Sequence, residues 1–501
     1  MEKDLSKAIA FFKNGRLEEA KKLCIEVLKN DKYNSQALNL NAFILYYQKN
    51  FVGAIEQWQK ALNINPNYIE AYNGCGNSFK NLSQLDKAVV CFKKAIEIEP
   101  RYFEAYINLG NVLIKLEKFE EAIEYFDKVN KLKSISAEAF HGKAYSLMKL
   151  KKYDEAILNF NKSIKINPND ANVYYNLGAT YENIEEWQEA ADCFSKAMEI
   201  DPKHIEAYKN LLHLLEFYLP KQENKNFLIK TNNLLKYNNI NIDLEKKISD
   251  EIIVNYFSKI SEILDENFDN RFINDKSQIF RDDAKDLNCE RHFEIFNTYN
   301  AIPKFCFGCY KIQIDIKNVI ELFKLYIVFD KIKLKKNNLR KCMIEIRDKV
   351  SGNYKGLIYC SGLSEAQKIE KYLNPIIKKT IGTNPSVFIK RGCTEFAMSY
   401  PEYKKIDESM SYNDNWLEKE KIIDVRINER NKYSKKIVQE TLEGLSISDA
   451  LIMKNWIFFA KCINDESYKK FNINIQNSEY LQNKLFGQID HRKNELRKLN
   501  S

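Results

Sequence analysis

The sequence predicts an α-solenoid over its first two fifths, followed by a smaller α/β domain and a helical C-terminal extension. The main observation is an alanine that recurs every 34 residues, together with a proline that recurs at the same interval. The alanines are Ala20, Ala54, Ala88, Ala122, Ala156 and Ala190, and the prolines are Pro66, Pro100, Pro168 and Pro202, with Ser134 at the missing position. Such a period predicts a stack of units that each contain one helical hairpin. After about residue 218 the period ends, and from 310 to 316 apolar and polar residues alternate as in a strand.

Length and composition limit the classes of protein that fit. With 501 residues the chain has room for two or three domains. The net charge of +9, from 78 basic and 69 acidic residues, is mild for this length and does not favour nucleic acid as a partner. We find no apolar run long enough to span a bilayer and no signal peptide from Met1 to Leu5, so we expect a cytoplasmic protein without a membrane partner. Clustered cysteines in that compartment are expected to bind metal or take part in redox chemistry rather than form disulfides.

The repeated unit has the spacing of two packed helices. In the third unit the first helix carries Tyr72, Cys75, Gly76 and Phe79, the second carries Ala88, Phe92 and Ala95, and Pro100 ends the unit. This pattern closely resembles the tetratricopeptide repeat (TPR) family over residues 1–215, and the C-terminal half resembles no family known to us. The resemblance implies a TPR superhelix over 1–218, with about six repeats and a capping helix, because a terminal unit has to cover the last apolar face.

In TPR proteins the first helix of each hairpin lines a concave groove that binds protein or peptide ligands. The resemblance therefore implies a groove lined by Asn39, Tyr46, Asn73, Asn77, Lys80, Asn108, Asn111, Lys115, Tyr145, Lys149, Asn176 and Asn210, with Phe43, His141 and Tyr175 beside them. Asparagine both donates and accepts hydrogen bonds, which suits an extended peptide, and the three lysines suit an acidic or C-terminal carboxylate partner. Biased composition explains the asparagines about as well, and a solvated helix face explains the lysines.

The second half has a different organisation. We interpret residues 219–267 as a helical linker, 268–400 as a Cys-rich α/β domain and 401–501 as a mostly helical region. Within the α/β domain we predict strands at 310–316, 342–346, 354–360 and 386–396, and helices at 319–334 and from 364 to about 382. The resulting order β-α-β-β-α-β is that of the ferredoxin-like fold.

The cysteines of this domain suggest two alternative metal sites. The local alternative is Cys289, His292, Cys306 and Cys309, two short chelating pairs with the spacing of structural zinc sites. The long-range alternative uses Cys306, Cys309, Cys360 and Cys393, with Cys342 in reserve, because the predicted topology places these cysteines toward one end of the sheet. An all-thiolate set suits zinc or an iron–sulfur cluster. We favour the local zinc site, and unliganded thiols remain a third interpretation.

No nucleotide-binding, hydrolase or metalloprotease motif occurs in the sequence. We therefore favour a protein- or peptide-binding adaptor with a TPR groove and a metal-stabilised α/β domain, and we do not expect an enzyme. The alternative is an enzyme that modifies a TPR-bound protein by means of a catalytic metal or an iron–sulfur cluster within 268–400.

Overall fold

The chain forms two units, Met1–Tyr208 and Lys209–Ser501. The computed structural model describes residues 2–132, 136–221, 225–238, 240–267, 276–281, 289–347, 350–383, 385–393, 396–406, 410–429, 440–473, 475 and 478–500. Within these residues no helix is both long and apolar enough to cross a membrane. The predicted position of Ser134 lies outside the described residues.

The first unit consists of helical hairpins in register with the sequence period. Its helices are α1 (Glu2–Lys13), α2 (Leu17–Asn30), α3 (Ser35–Tyr47), α4 (Phe51–Ile64), α5 (Ile69–Asn81), α6 (Leu85–Ile98), α7 (Phe103–Lys115), α8 (Phe119–Leu132), α9 (Ala137–Lys149), α10 (Tyr153–Ile166), α11 (Ala171–Asn183) and α12 (Trp187–Ile200). The next helix, α13 (Ile205–Phe217), contains the boundary between the units. The predicted α-solenoid is confirmed.

Periodic small and aromatic side chains form the core of this unit. All six periodic alanines are fully buried, and so are four phenylalanines that follow the same spacing: Phe92, Phe126, Phe160 and Phe194. Small side chains let the two helices of a hairpin approach closely, and each ring fills the space between them. The alanine pattern is therefore a packing requirement.

The turn inside each hairpin also repeats. Lys49, Ser83, Glu117, Lys151 and Glu185 have φ values between 57° and 64°, in the left-handed region. Each lies two residues before the first residue of the second helix, so the two helices are joined by the same turn in five hairpins. Non-glycine residues rarely adopt this conformation, and the packed hairpin must hold it in place.

The second unit combines a sheet with helices. Its elements after α13 are α14 (Phe227–Tyr237), α15 (Asp250–Asn267), β1 (Gln278–Arg281), α16 (Cys289–Tyr299), α17 (Lys304–Phe307), β2 (Tyr310–Ile316), α18 (Val319–Lys331), β3 (Arg340–Ile344), β4 (Tyr354–Cys360), α19 (Leu363–Thr380), β5 (Ser386–Arg391), α20 (Phe396–Ser399), α21 (Trp416–Glu429), α22 (Ile447–Ile463), α23 (Glu479–Leu485) and α24 (Ile489–Asn500). Two 3-10 turns occur at Pro401–Lys404 and Glu466–Phe471.

The sheet is antiparallel, with strand order β1-β3-β4-β2-β5. Tyr310 of β2 lies opposite Cys360 of β4 on one side and Arg391 of β5 on the other. Gly356 in β4 lets α18 approach, since a Cβ there would lie 3.1 Å from the ring of Phe329. The predicted small α/β domain is thus present, with β1 as an additional strand at the edge.

Strand ends differ from the predicted ones. The strand predicted at 342–346 spans Arg340–Ile344, and the strand predicted to continue to 396 ends at Arg391. The reason for the second difference is Gly392, which has φ of +47° and lies against the Tyr403 side chain. The left-handed φ of Gly392 ends the extended backbone, so the chain turns away from the sheet there, and only glycine fits because a Cβ would meet Tyr403.

The segment 219–267, which the sequence suggests to be a linker, packs into the second unit. Ile248 N donates to Thr380 O at 2.8 Å, and the rings of Phe257 and Phe323 lie 5.0 Å apart. The C-terminal region packs into the same unit, where Trp456 Nε1 donates to Ser277 O at 3.0 Å. Contacts therefore join 219–267, 268–400 and 401–501 in one compact unit, because each segment contributes buried apolar side chains.

Candidate functional sites: a polar helix face and a cysteine pocket

The predicted groove residues lie on the first helices of successive hairpins. These are Asn39 and Tyr46 on α3, Asn73, Asn77 and Lys80 on α5, Asn108, Asn111 and Lys115 on α7, Tyr145 and Lys149 on α9, and Asn176 on α11. We call the surface that they define the groove face. Asn210 lies on α13, in the second unit.

Carboxamides on the groove face bond from one repeat to the next. Asn108 Nδ2 donates to Asn73 Oδ1 at 2.9 Å. Asn176 Nδ2 lies 2.9 Å from His141 Nε2, and burial lowers the pKa of His141, so the neutral imidazole accepts this bond. Both pairs join residues 35 apart, so they occupy equivalent positions at two junctions of first helices, α5 with α7 and α9 with α11. We call these two hydrogen-bonded pairs the polar ladder. They hold their four side chains in fixed rotamers in the absence of a ligand.

Asparagines of this face also bond to aromatic residues. Trp58 Nε1 donates to Asn39 Oδ1 at 2.7 Å, and Asn73 Nδ2 donates to Tyr102 Oη at 3.3 Å. A carboxamide has two N–H donors and two acceptor lone pairs. Each of these side chains keeps hydrogen-bonding capacity after its contacts within the protein.

Three lysines occupy matching places near the ends of α5, α7 and α9. Lys80 Nζ donates to Asn77 Oδ1 at 3.0 Å. Burial, followed by the charge of Lys115, lowers the pKa of Lys80. Lys149 Nζ lies 5.1 Å from the centre of the Tyr145 ring. In the described part of the chain none of the three lysines forms an ion pair with a carboxylate.

In the first two hairpins, aromatic residues lie at or near the corresponding places, beside Lys13 at the end of α1. Phe12 and Tyr47 lie 5.5 Å apart, and Phe43 and Trp58 lie 5.3 Å apart. Tyr47 is 61% exposed although it contacts Tyr46. The groove residues inferred from the sequence did not include Phe12 or Tyr47. Counting back from Lys80 in steps of 34 residues leads to Tyr46 and then to Phe12, and one step back from Asn81 leads to Tyr47, so the period contained the signal.

The opposite edge of the groove face is acidic. A cleft of about 420 Å³ is lined by Phe103, Glu104, Ile107, Asn108, Ser136, Ala137, Glu138 and Asn167. Glu70, Glu104 and Glu138 each lie in the first turn of their helix, where a carboxylate is stabilised by the helix dipole.

A second candidate site is a small pocket in the Cys-rich part of the second unit. It is lined by Cys289, His292, Phe293, Phe305, Cys306, Cys309, Lys311, Tyr359, Gly392 and Cys393. The space between them is about 10 Å³, which is the volume of about one water-sized sphere. All four residues of the predicted local zinc site therefore converge on one pocket, together with Cys393 from the long-range alternative.

Three chain segments bring these donors together. Cys289 and His292 lie one helical turn apart on α16, and Cys306 and Cys309 lie in and directly after α17. Cys393 follows β5, whose end is held by a hydrogen bond from Gly392 N to Cys309 O at 2.8 Å. The β2–β5 pairing thus places a distant cysteine beside the local pair.

The pocket is buried and contains a lysine. Burial, followed by the nearby Cys393, raises the pKa of Cys289 to about 11, and burial likewise raises the pKa of Cys306. Lys311 is only 7% exposed, and its Nζ lies 3.6 Å from Cys393 Sγ and 4.7 Å from the centre of the Tyr359 ring. His292 stacks on Phe305 with ring centres 5.2 Å apart.

The other two proposed ligands lie elsewhere. Cys342 is in the middle of β3, opposite Gly356, and Cys360 ends β4, opposite Tyr310. Neither side chain lines the pocket. Among the residues that the structure describes, no group of three or more His, Cys, Asp or Glu side chains is positioned to hold a metal ion.

The first unit is thus a solenoid of helical hairpins with a polar groove face. Family models described as TPR repeat match residues 44–83, 76–117 and 144–185, and models described as tetratricopeptide repeat match residues 103–135 and 171–204. Residues 44–204 of this chain are an array of tetratricopeptide repeats. No family model matches the C-terminal half.

Several solved structures are similar to part of this chain. YrrB, described as a TPR protein with an unusual peptide-binding site, is 26% identical over 37% of this chain and 96% of its own, with a TM-score of 0.33. PilF of Pseudomonas aeruginosa is 19% identical over 42% and 96%, with a TM-score of 0.39. TTC0263, a TPR protein of Thermus thermophilus, is 18% identical over 36% and 98%, with a TM-score of 0.32. A search of curated proteins gives no match.

Proposed function

We propose that this protein is an adaptor that holds an extended polypeptide against the groove face of its TPR array. The observation that carries the proposal is the polar ladder, in which Asn73 and Asn108, and His141 and Asn176, bond across neighbouring repeats. The backbone N–H and C=O groups of an extended ligand are unpaired and match carboxamides that both donate and accept. Because the ladder already fixes the rotamers, ligand binding costs less side-chain entropy.

A binding assay on an unbiased peptide array tests this proposal. We expect the full-length protein to bind a subset of peptides, and the double variant Asn108→Ala, Asn111→Ala to lose most of that binding. The matched control is Asn63→Ala, which removes an exposed carboxamide from α4, on the second helix of a hairpin. Equal binding by the double variant and the control would contradict a role for the groove face.

We further propose that the second unit holds a zinc ion at the cysteine pocket. In support, four thiols and an imidazole from three chain segments line one pocket, and thiolates and imidazoles are the usual ligands of structural zinc. In this proposal Cys289, Cys306 and Cys309 are three of the ligands, and His292 or Cys393 is the fourth. Lys311 would then donate to a thiolate and offset the negative charge of the site. An iron–sulfur cluster is the alternative for an all-cysteine set.

Elemental analysis of the purified protein, combined with its absorption spectrum, tests the metal proposal. One zinc per chain without visible absorption supports a structural zinc site, and iron with visible absorption supports the cluster. Protein that carries neither element, and does not take up zinc when refolded with it, would contradict both.

Two finer features of the protein belong to the same proposal. The strand order β3-β4-β2-β5, with α18 and α19 as crossovers, supports a ferredoxin-like sheet to which β1 is added. In the part of the chain that the structure describes, no disulfide joins any of the eleven cysteines, which supports a reducing, cytoplasmic location.

A further inference from the structure

We infer that the ligand of the groove face is an acidic extended segment of a particular pattern: an aromatic or large apolar residue, followed by acidic residues at about every third position. This inference rests on the proposed function and adds the chemistry of the ligand to it. It follows from the lysine row, the spacing of the repeats, the aromatic end of the face and its acidic opposite edge.

The lysine row consists of Lys80, Lys115 and Lys149, one on each of three successive first helices. Burial and the neighbouring Lys115 both disfavour the charge on Lys80, so the row carries charges that repel one another. No carboxylate of the described residues forms an ion pair with them, whereas Lys94 and Lys196 on second helices, and Lys118 directly before one, each pair with a glutamate three residues away. The groove lysines therefore lack the compensation that these other lysines have, and an anionic ligand would supply it.

A favourable interaction with the helix dipole accounts for a lysine in the last turn. It does not account for the position of Lys80, which is half-buried and bonded to Asn77, a residue of the same groove face. Burial of a cation costs free energy that the dipole alone offsets only in part. The location of this side chain is thus better explained by a ligand than by helix stability.

The spacing of the repeats sets the spacing of charges in the ligand. The bond between Asn73 and Asn108 shows that the first helices of neighbouring repeats are in direct contact. Packed helices lie about 8–10 Å apart, and an extended chain rises about 3.3 Å per residue. One repeat therefore corresponds to about three ligand residues. A helical ligand, which rises about 1.5 Å per residue, would need acidic residues about five to seven positions apart.

The aromatic end of the face defines the other part of the pattern. Phe12 and Tyr46 take the place of Lys80, and Tyr47, which is 61% exposed, takes the place of Lys115 and Lys149, although α1 has Lys13 there. An exposed aromatic cluster favours an apolar or aromatic side chain and gives no compensation to an acidic one. The ligand residue that lies here is therefore apolar, one repeat away from the first acidic contact at Lys80.

The acidic edge makes the pattern more important than the total charge. Glu70, Glu104 and Glu138 lie at the opposite ends of the helices that carry the lysines. Acidic ligand residues that point toward this edge are repelled. A uniformly acidic peptide therefore binds less tightly than a peptide whose acidic residues lie on one side only.

Fluorescence anisotropy with labelled peptides and the full-length protein tests the inference. The probe is a peptide with tryptophan followed by glutamates at every third position, with serine and glycine between them. Comparison peptides have the glutamates replaced by glutamine, gathered in one block, or spaced by seven residues. We expect the probe to bind about tenfold more tightly than the glutamine peptide, since three partly exposed ion pairs combine to about that factor, and we expect added salt to weaken its binding.

A charge exchange then locates the contact. Lys115→Glu should weaken binding of the probe, and a probe with lysine in place of one glutamate should recover binding to this variant. The matched control is Lys60→Glu on α4, an exposed lysine on a second helix, which should leave binding unchanged.

The failures of the two proposals are distinguishable. If the glutamine, block or seven-spaced peptide binds as tightly as the probe, or if Lys60→Glu weakens binding as much as Lys115→Glu, the inference is wrong and the adaptor function stands. If no peptide of any kind binds, or if the peptides that bind on the array do so equally after Asn108→Ala with Asn111→Ala, the adaptor function itself fails.

Discussion

Gly110 on α7 faces the ring of Phe126 on α8 so closely that a Cβ at Gly110 would lie 2.6 Å from the ring. The same relationship recurs at the same place in two other hairpins, between Gly76 and Phe92 at 2.5 Å and between Gly178 and Phe194 at 2.8 Å. Real side-chain carbons do not approach a ring so closely, so glycine is required there for the two helices to pack.

Gly110→Val should therefore destabilise the first unit by about 1–3 kcal/mol, because overpacking outweighs the gain in helix propensity. Urea denaturation followed by circular dichroism measures the change. Asn111→Val, an exposed neighbour on the same helix, is the control and should change the free energy of unfolding by less than about 0.5 kcal/mol. In a double variant with Phe126→Leu the loss should be smaller than the sum of the single effects. Strict additivity would contradict the proposed contact.

The cysteine pocket gives a second prediction. The double variant Cys306→Ser, Cys309→Ser should lower bound zinc to background and destabilise the second unit, because two thiolate ligands are removed at once. The first unit should keep its helical signal. Elemental analysis and proteolysis with fragment mapping measure the two effects.

Single variants then decide the fourth ligand. Loss of zinc in Cys393→Ser, with retention in His292→Ala, indicates four cysteines, and the reverse indicates three cysteines and a histidine. Cys462→Ser, on α22, is the control and should retain zinc. Full retention of zinc in the Cys306, Cys309 double variant would show that the pocket is not the site.

Glu345 should make the second unit sensitive to acid. Its side chain is fully buried and pairs with Lys355 at 2.9 Å and Arg347 at 2.8 Å. Burial favours the neutral carboxyl, but hydrogen bonds and charges of Arg347 and Lys355 outweigh it and lower the pKa from 4.5 to about 2. Since the pKa is lower in the folded state, this stabilisation is present above about pH 4.5 and is lost as the pH falls toward 2.

Such a shift corresponds to about 3 kcal/mol. Glu345→Gln should therefore lower the free energy of unfolding by about that amount at pH 7 and by little near pH 2, as measured by denaturant titrations across this range. Glu262→Gln, an exposed glutamate on α15, should leave the pH dependence unchanged. A Glu345→Gln profile parallel to that of the unmodified protein would refute the assignment.

Residues 1–218 should fold without the rest of the chain. The repeats bury their own alanines and phenylalanines, and each repeat contacts mainly its neighbours. We expect the fragment to be soluble and strongly helical by circular dichroism, with a cooperative thermal transition. A fragment that aggregates or lacks helical signal would show that the array depends on the second unit.

The groove face illustrates what can be inferred from a sequence period. Positions such as Asn73 and Asn108 followed from the repeat alone, since every unit has the same geometry. Their mutual hydrogen bond did not follow, because it joins the fifth position of one first helix to the sixth position of the next. The aromatic end was missed because Phe12 and Tyr47 differ in chemistry from the lysines at the equivalent places.

For the cysteine pocket, the sequence identified four of the residues and the tertiary structure added a fifth cysteine. Spacing alone indicated that Cys289, His292, Cys306 and Cys309 belong together, because short pairs need no knowledge of the fold. Cys393 lies more than eighty residues further along and joins them through the β2–β5 pairing. The sequence does not distinguish Cys342 and Cys360 from Cys393, but neither of the two lines the pocket. Cys342 lies in the middle of β3, and Cys360 lies at the end of β4.

By itself the sequence determined the features that depend on local periodicity: the hairpin array, the helix faces on which the groove residues lie, and the order of the four strands and two helices between residues 310 and 391. These depend on contacts between residues close in the chain, which repeat or alternate visibly. Tertiary structure alone decided which distant segments meet, including the packing of residues 219–267 into the second unit and the position of Cys393 beside Lys311. Such contacts depend on strand register and on the burial of apolar faces, and no local pattern encodes either one.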